Sequence, residues 1–284
     1  MVRWLWFVGG CAHAIPPVSA PAAPVARATS AASACWVEYA RSGAFTDSGV
    51  VVNTAAGVVL IDAGQSLAFR SELTEIPHGR LYLKLVPAKL VPDRPASEAL
   101  AEVGVDLGAI VAFVPTHAHS DHVGGLVDLP DLPVKMDPAE LEVVSRVAAG
   151  GGSWNVMPAE ARRIAPEASA LAYTEAPFAV FPRSADLLGD GTVVVVPLPG
   201  HTPGSVGVVV DAGAARFLHA GDAINTRSQL DGPTGKSPIL RPTDGDPAAA
   251  DRQVALLASL HAGDPDLVML PAHERAAWVE LFGA

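Results

Sequence analysis

The sequence predicts an α/β (α+β) protein in which β-sheets pack in the middle and helices cover the outside. Short runs of β-branched residues recur over 35–64 and again over 191–222. Helix-type segments complete each of these strand-rich halves. In addition, 50% of the 284 residues are hydrophobic, which is enough apolar material for a large buried core. Two strand-rich halves that are each completed by helices favour packed sheets with helices outside.

The first half predicts three antiparallel strands, then a buried strand and a helix. The antiparallel strands are CWVEYA, GVVVNT and GVVLIDAG, with a tight hairpin turn near 53–57. The mixed stretch 65–109 indicates a loop or lid region that contains a helix over about 97–102. AIVAFVPTH is the buried strand, and DPAELEVVSRVAA is a helix capped by Asp137 with Pro138 in its first turn.

The second half repeats this scheme. GTVVVVPLPGH, GSVGVVVD and ARFLHAGD predict strands, and DPAAADRQVALLASLHAG predicts a helix. DLVMLPAH is a further strand, and ERAAWVELF is a closing helix. We therefore predict one folded domain over 35–284, preceded by an N-terminal segment, 1–34, of different composition.

The N-terminal segment has the order of an export leader. Arg3 precedes a short apolar run that ends at Gly9, Gly10 and Cys11, and a stretch rich in Ala, Pro and Ser follows. This order resembles a bacterial lipoprotein leader with Cys11 lipidated and 12–34 as a flexible tether, although the apolar run is shorter than the usual ~7 to 15 residues. Two locations stay open: the cell envelope on its periplasmic side, with membrane attachment through Cys11, and the cytoplasm.

Net charge and cysteine content argue against a nucleic-acid partner and against a disulfide framework. Lys plus Arg number 19 against 30 for Asp plus Glu, a formal net charge of -11, so nucleic acid is not an expected partner. Cys11 and Cys35 are the only two cysteines, too few for a disulfide framework. We expect a small-molecule substrate, and no motif indicates an oligomeric state.

The segment THAHSDHVGG concentrates residue types that bind metals. His117 and His119 are two apart at the end of a strand, so on an extended backbone both imidazoles project to one side and can hold one ion. Asp121 and His122 follow where the chain turns, and they can aim at a second point beside the first. Four such residues amount to one and a half sites, so further ligands are expected elsewhere.

Three more metal-binding side chains end hydrophobic strands, namely His201, Asp222 and His273. Imidazole and carboxylate without thiolate suit zinc and would also accept iron or manganese. The remaining histidines are interpreted as ordinary polar residues. Among them, His219 lies near Asp222, but its odd offset along the strand predicts that it faces the opposite side of the sheet.

The block 116–122 resembles the HxHxDH signature of the metallo-β-lactamase superfamily. The resemblance extends to GVVLIDAG before this block and to PLPGHTPGSVGVVV, LHAGDA and LPAHE after it, so it covers most of 36–284. It implies an αββα four-layer sandwich of two mixed sheets flanked by helices, with the site at one edge of the sheets. It also implies a metal-dependent hydrolase.

The same resemblance implies a dinuclear centre with two zinc ions per chain. Seven residues carry over as ligands of the first ion, of the second ion and of both: His117, His119 and His201; Asp121, His122 and His273; and Asp222. A hydroxide between the ions would attack a substrate carbonyl, and Asp121, as the catalytic residue, would orient it or carry a proton. Asp62 either orients a ligand from beneath the site or forms a turn.

Two residues that differ from those usual in individual branches of the superfamily limit the range of expected reactions. β-Lactamases of this fold usually have Cys or Ser where this chain has Asp222, which disfavours β-lactam hydrolysis. Acyl-homoserine-lactone lactonases fit best, although they commonly have Tyr where this chain has Asn225, which can donate a hydrogen bond but is no phenolic acid. We expect hydrolysis of an ester, lactone or related amide.

Three alternatives to that reaction stay open: a mononuclear iron oxidoreductase similar to sulfur dioxygenases, a β-lactam hydrolase, and a non-catalytic metal-binding protein of the envelope. Substrate selectivity is expected to reside in 65–95 and 150–185. Their apolar side chains either line the pocket or pack into the core, and they include LYLKLVPAKLV, Trp154, Phe178 and Phe181.

Overall fold

The computed structural model describes residues 13–16, 23–29, 31–76, 92–153, 156–232, 234–238 and 240–283. Over these residues the chain forms two mixed β-sheets with helices on their outer faces. No helix in this part of the chain is long and apolar enough to cross a membrane. Three features named by the sequence predictions lie outside the described residues: Cys11, Trp154 and all of LYLKLVPAKLV.

The first sheet has six strands in chain order, antiparallel between β1, β2 and β3 and parallel from β3 to β6. The predicted hairpin is present at Gly57, which has a φ of 130° and where a Cβ would lie 2.5 Å from a methyl group of Val111. This turn therefore requires glycine. The strands are β1 Ser33–Ser42, β2 Phe45–Thr54, β3 Gly57–Ile61, β4 Ile110–Val114, β5 Val134–Met136 and β6 Ala168–Ala170.

The second sheet has five strands in the order β11-β10-β9-β8-β7, where β10 and β11 are parallel and the other pairs antiparallel. The strands predicted in this half are all present, whereas the short strands β5, β6 and β7 were not expected because two or three residues carry no clear alternation. The strands are β7 Ala185–Asp186, β8 Val193–Pro197, β9 Val206–Ala212, β10 Ala215–His219 and β11 Val268–Leu270.

The four helices predicted from the sequence begin and end close to their predicted bounds, and four further described helices were not predicted. Asp137 caps the predicted helix as expected, since its carboxylate accepts a hydrogen bond from the Ala139 N–H at 2.8 Å. The described helices are α1 Phe69–Glu72, α2 Ala96–Glu102, α3 Ser120–Val123, α4 Pro138–Ala148, α5 Pro158–Ile164, α6 Ser228–Asp231, α7 Pro247–Gly263 and α8 Arg275–Phe282. Short 3-10 turns occur at Leu73–Glu75, Leu107–Ala109, Gly124–Asp128 and Arg241–Thr243.

Strand alternation divides the apolar side chains into three layers. In β2, Val51 packs with α2 and α4 side chains, while Val50 and Val52 face the second sheet. A separate layer lies between the second sheet and α7. The layer between the sheets includes Val50, Val52, Val59, Ile61, Val114, Val193, Val195, Val208, Val210 and Phe217. Three layers between four tiers of structure form the predicted αββα sandwich.

Two pieces of the predicted tether, 13–16 and 23–29, are packed against the domain. Ile15 and Val25 are buried with the apolar side chains of α7 and the second sheet, and the Val25 N–H donates to Asp264 Oδ2 at 2.8 Å. The expectation of a flexible tether is therefore wrong for these pieces. The expectation fails because each piece has one apolar side chain that is buried against the domain. The composition of the stretch as a whole does not reveal this.

Candidate metal centre

Strands from both sheets bring the seven predicted ligands together. In the first sheet, β4 ends two residues before THAHSDHVGG begins, and α3 lies within that segment. In the second sheet, β8, β10 and β11 each run into a further ligand. The five histidines are buried, and the two aspartates are partly exposed. The residues brought together are His117, His119, Asp121, His122, His201, Asp222 and His273.

The donor atoms fall into two main groups, within each of which all donors lie within 4.8 Å of one another. We call them the first subsite and the second subsite. A third group, which includes Asp222 with one histidine from each subsite, joins them. The first subsite consists of His117, His119 and His201, and the second of Asp121, His122 and His273.

Asp222 lies between the two subsites and turns one oxygen toward each. Its Oδ2 is 3.4 Å from Nε2 of His201 in the first subsite. Its Oδ1 is 3.2 Å from Nε2 of His273 and 3.5 Å from Nε2 of His122, both in the second subsite. One carboxylate therefore faces two separate sets of donors.

The donor atoms of the cluster fit a divalent cation. Nε2 of His117, Nε2 of His122 and Oδ1 of Asp222 are buried and have no hydrogen-bond partner. Nδ1 of His119 lies 3.0 Å from Nε2 of His201. Buried polar atoms are normally satisfied, and nitrogens that converge on one point are satisfied together by a cation. Imidazole and carboxylate donors are those that zinc, iron and manganese accept.

Asp62 orients the second subsite from beneath. Its Oδ2 lies 2.8 Å from Nδ1 of His122 and accepts from the Thr116 hydroxyl at 2.9 Å. Both alternatives of the sequence prediction are therefore observed, since Asp62 orients a ligand and also turns the chain with a φ of 54°. Burial alone would raise the pKa of Asp62, but His122 and His219 hold it well below its usual range. The prediction that His219 faces away is wrong, because its Nε2 lies 3.1 Å from Asp62 Oδ2.

Two other ligands are oriented by different partners. Nδ1 of His201 lies 3.0 Å from Oδ1 of Asp244, which also accepts from the buried Lys236 ammonium at 2.5 Å. Nδ1 of His273 donates to the backbone carbonyl of Thr46 at 2.8 Å. In both histidines the hydrogen bond at Nδ1 leaves Nε2 free to face Asp222.

The two subsites differ in protonation when no metal is bound. In the first subsite, burial lowers the pKa of His117 and His119, and neighbouring histidines lower it further. In the second, burial acts in the same direction, but the carboxylates that face the histidines outweigh it. The pKa of His122 lies well above its usual value, and that of His273 is raised to about 9.

The sequence over 42–273 matches the family model described as the metallo-beta-lactamase superfamily. This match spans most of the chain and contains all seven residues of the cluster. The chain belongs to the metallo-β-lactamase superfamily.

Relatives of this superfamily member include two probable metallo-hydrolases, one of Mycobacterium tuberculosis and one of Mycobacterium bovis. Each is 26% identical over 238 residues, which cover 79% of this chain and 73% of the relative. A crystal structure of a B. thuringiensis AiiA variant with N-decanoyl-L-homoserine bound has a TM-score of 0.63 at 15% identity and covers 86% of this chain and 94% of that one. AidC, described as a dizinc quorum-quenching lactonase, has a TM-score of 0.54 at 17% identity, covering 81% and 72%.

These matches confirm the predicted superfamily, the predicted fold and the coarse prediction of a metal-dependent hydrolase. The structural likeness is at low sequence identity and supports the fold alone. The substrate of this superfamily member depends on its own pocket.

A pocket of about 180 Å³ opens over the cluster of the superfamily member. Its apolar walls are Phe45, Phe69, Met157 and Leu240, of which Phe45 stacks on the His273 ring at 4.2 Å. No Lys or Arg lines this pocket among the described residues. The polar lining outside the cluster consists of Asp47, Gln65, Ser120, Asn225 and Thr243.

Several of these residues were not found from the sequence. Asp47 is buried in β2 without a hydrogen-bond partner for either oxygen, and nothing in the surrounding FTDSG indicates a site. Asp244 sits in a stretch, TDGDP, that is typical of a turn before a helix. Phe178 and Phe181 pack with the side chains of the second sheet and are absent from the pocket lining, so packing is the alternative observed for them.

Proposed function

We propose that this protein is a dinuclear zinc hydrolase that cleaves an ester, lactone or related amide bond of a small molecule. The observation that carries the proposal is the position of Asp222, whose two oxygens face His201 at 3.4 Å and His273 at 3.2 Å. A carboxylate turned toward two donor sets supports two ions rather than one. Nitrogen and oxygen donors without thiolate suit zinc, with iron or manganese as alternatives.

When bound, divalent ions lower the pKa of water toward ~7 and polarise a carbonyl oxygen. The chain supplies the remaining functions. In the proposal the two subsites hold the ions, and Asp222 belongs to both. Asp121 lines the pocket and its side chain is 31% exposed, against 13% for Asp222. Asp121 is therefore placed to accept a proton from the attacking water and to pass it to the leaving oxygen or nitrogen.

Asn225 is proposed to bind the substrate carbonyl. Its backbone N–H donates to the Gln229 side chain at 2.7 Å, and Asn225 itself lines the pocket. The amide group can donate a hydrogen bond to an oxyanion. It has no acidic hydroxyl, so in this proposal protonation of the leaving group falls to Asp121.

The pocket supports an uncharged acyl substrate. Its apolar walls offer contacts to a hydrocarbon chain or ring, and no described Lys or Arg lines it to pair with a carboxylate or phosphate. The net charge of -11 adds a general repulsion toward anionic substrates. We therefore favour neutral lactones and esters over phosphodiesters and over thioesters with charged leaving groups.

A turnover screen of the zinc-loaded protein tests the proposal. The panel contains lactones, aryl esters, thioesters, phosphodiesters and β-lactams, and metal content is measured on the same preparation. We expect about two zinc ions per chain and the fastest turnover among lactones or esters. His119→Ala should abolish turnover, whereas His261→Ala, on α7 and outside the cluster, should retain it.

Three results would overturn this proposal. One iron per chain in the protein as purified, with oxidation of a sulfur substrate by that preparation, would favour the oxidoreductase. Turnover confined to β-lactams would favour the β-lactam hydrolase. Turnover of some substrate that His119→Ala leaves unchanged, or no turnover at all with metal bound, would favour a non-catalytic metal-binding protein.

We further propose the cell envelope as the location, supported by the leader pattern that ends at Cys11. Cys11→Ser should move the protein from the membrane fraction to the soluble fraction without changing its turnover. A wild-type protein found only in the soluble fraction of the cytoplasm would contradict this location.

A further inference from the structure

A buried carboxylate joins the two chain segments that supply the first subsite. Glu140, near the start of α4, is 1% exposed. Its Oε1 accepts a hydrogen bond from the Ala118 N–H at 2.7 Å, between the first two histidines of the subsite. Its Oε2 accepts from the Thr202 hydroxyl at 2.7 Å and from the Gly204 N–H at 3.0 Å, directly after the third histidine.

The second of these segments is shaped around Glu140. A Cβ at Gly204 would lie 2.3 Å from the Glu140 backbone nitrogen and 2.5 Å from its Cβ, so no larger residue fits there. Thr202 is fixed further by Ser205, whose Oγ accepts from the Thr202 N–H at 2.9 Å and lies 2.7 Å from its Oγ1. The loop after His201 is therefore packed tightly against α4.

The distance between the two segments that supply the first subsite must be fixed by a contact of this kind. His119 and His201 lie 82 residues apart in the chain, yet their ring nitrogens approach to 3.0 Å. Local backbone geometry cannot set a distance between segments that far apart in sequence. Metal affinity depends on ligand positions held to within ~0.5 Å. Among the described side chains, Glu140 is the one that these hydrogen bonds tie to both segments at once.

We propose that Glu140 is a positioning residue that sets the divalent-ion affinity of the first subsite by fixing the distance between its two ligand segments. This inference rests on the proposed function, because it takes the three histidines as ligands. The second subsite is oriented by Asp62 and by the Thr46 carbonyl, and Glu140 contacts neither. Loss of Glu140 is therefore expected to act on one ion and to spare the other.

Zinc affinity in chains that retain one subsite tests this inference. His273→Ala leaves the first subsite complete, and His201→Ala leaves the second. Glu140→Gln is introduced into each, and affinity is measured by competition with a chromophoric chelator. The glutamine is nearly isosteric, but its NH₂ group must oppose a backbone N–H, either that of Gly204 or that of Ala118. One bond to a ligand segment is therefore lost in either orientation. Substitution of a residue that orients a ligand typically costs about 10–100-fold in affinity.

We expect Glu140→Gln to weaken zinc binding by about 10–100-fold in the His273→Ala chain and by less than about threefold in the His201→Ala chain. Glu142→Gln, an exposed residue on the same helix, is the matched control and should change neither. Equal weakening in both chains, or no weakening in the His273→Ala chain, overturns the inference. A wild-type chain that binds no divalent ion overturns the proposed function first.

A second pair of variants keeps the test decisive if Glu140→Gln does not fold. Thr202→Val removes one donor to Glu140 and keeps the side-chain volume, while Thr202→Ser keeps the hydroxyl. Thr202→Val should weaken the first subsite, and Thr202→Ser should restore most of the affinity. A mere packing role would give the opposite order, because valine fills the space better than serine.

Discussion

The two subsites of the cluster are oriented by different parts of the molecule. The second depends on the first sheet: Asp62 follows β3 directly, and the Thr46 carbonyl belongs to β2. The first depends chiefly on segments outside the sheets, with Glu140 on α4 and the pair Lys236 and Asp244 before α7. Its link to the first sheet is the Thr116 hydroxyl, which donates to Asp62 and lies 3.2 Å from Nδ1 of His117. Strand pairing fixes sheet-borne partners, whereas the others are fixed only by their own side-chain contacts. The second subsite is therefore the one more firmly built into the fold.

The first subsite is the more ready of the two to bind metal, because two of its histidines hold no proton that must first leave. Without metal the pKa values of His117 and His119 lie below their usual value, so these ligands are ready to bind. His122 and His273 have raised pKa values and must first release protons. The better-anchored subsite is therefore also the one at which protons compete with the metal ion.

The largest effect is expected at Asp222, the residue that faces both subsites. Asp222→Ala should lower kcat/KM by at least ~1,000-fold, about 4 kcal/mol of transition-state stabilisation, because both ions lose a ligand. Metal content should fall for both subsites, while circular dichroism stays native. Asp266→Ala, an exposed aspartate, is the control. Full activity and full metal content in Asp222→Ala would contradict the dinuclear assignment.

Replacing the Asp62 carboxylate should weaken zinc binding at the second subsite more than at the first. Asp62→Asn keeps the shape but weakens the hydrogen bond to His122, so zinc affinity of a His201→Ala chain should fall by about 10–100-fold. The first subsite, measured in a His273→Ala chain, should change much less. Loss of affinity in the first subsite alone would contradict the comparison.

The pH dependence of zinc affinity should separate the subsites next. A proton on His122 or His273 competes with the ion below the raised pKa of that histidine. Affinity of the second subsite should therefore fall as pH decreases from about 9, which is the pKa of His273, by roughly tenfold per pH unit for each proton released. Chelator competition between pH 6 and 9 measures it. Equal slopes for both subsites would show that this protonation difference is absent.

Strand and helix positions were largely predictable, and the support of the site was not. Valine-rich alternation and the cap at Asp137 are local signals, and the structure bears them out. His219 was misplaced because alternation was counted back from Asp222, although β10 ends at His219 and the chain turns at Gly221, where φ is 52°. Glu140 was missed because its partners are distant in the chain, and Lys236 because the ligand that it supports through Asp244, His201, is 35 residues away. Only folding reveals such contacts.

Two buried carboxylates extend the comparison from the subsites to their surroundings. Glu140, beside the first, has accepted bonds on both oxygens. Asp47, beside the second, has none, and its Oδ1 lies 3.7 Å from Nδ1 of His273, which already donates to a carbonyl. An unpartnered buried carboxylate costs stability when ionised. Burial raises the pKa of both carboxylates, but at Glu140 the accepted hydrogen bonds oppose that rise, and Asp47 has no such bond. Asp47 should therefore oppose folding at alkaline pH without this compensation.

The smallest effect follows from that contrast. Burial, reinforced by the charge of Asp121, raises the pKa of Asp47 to about 8 in the folded, metal-free protein, against ~3.9 when unfolded. The folded state thus binds the extra proton between these values, and wild-type stability falls as pH rises through that window. Asp47→Asn cannot ionise, so its Tm relative to wild type should rise with pH and level off above about 8, at a gain of at least ~3 °C. Melting curves with a chelator present measure this difference. A constant difference between pH 5 and 9 would mean that Asp47 is solvated or paired in solution, and the contrast with Glu140 would then disappear.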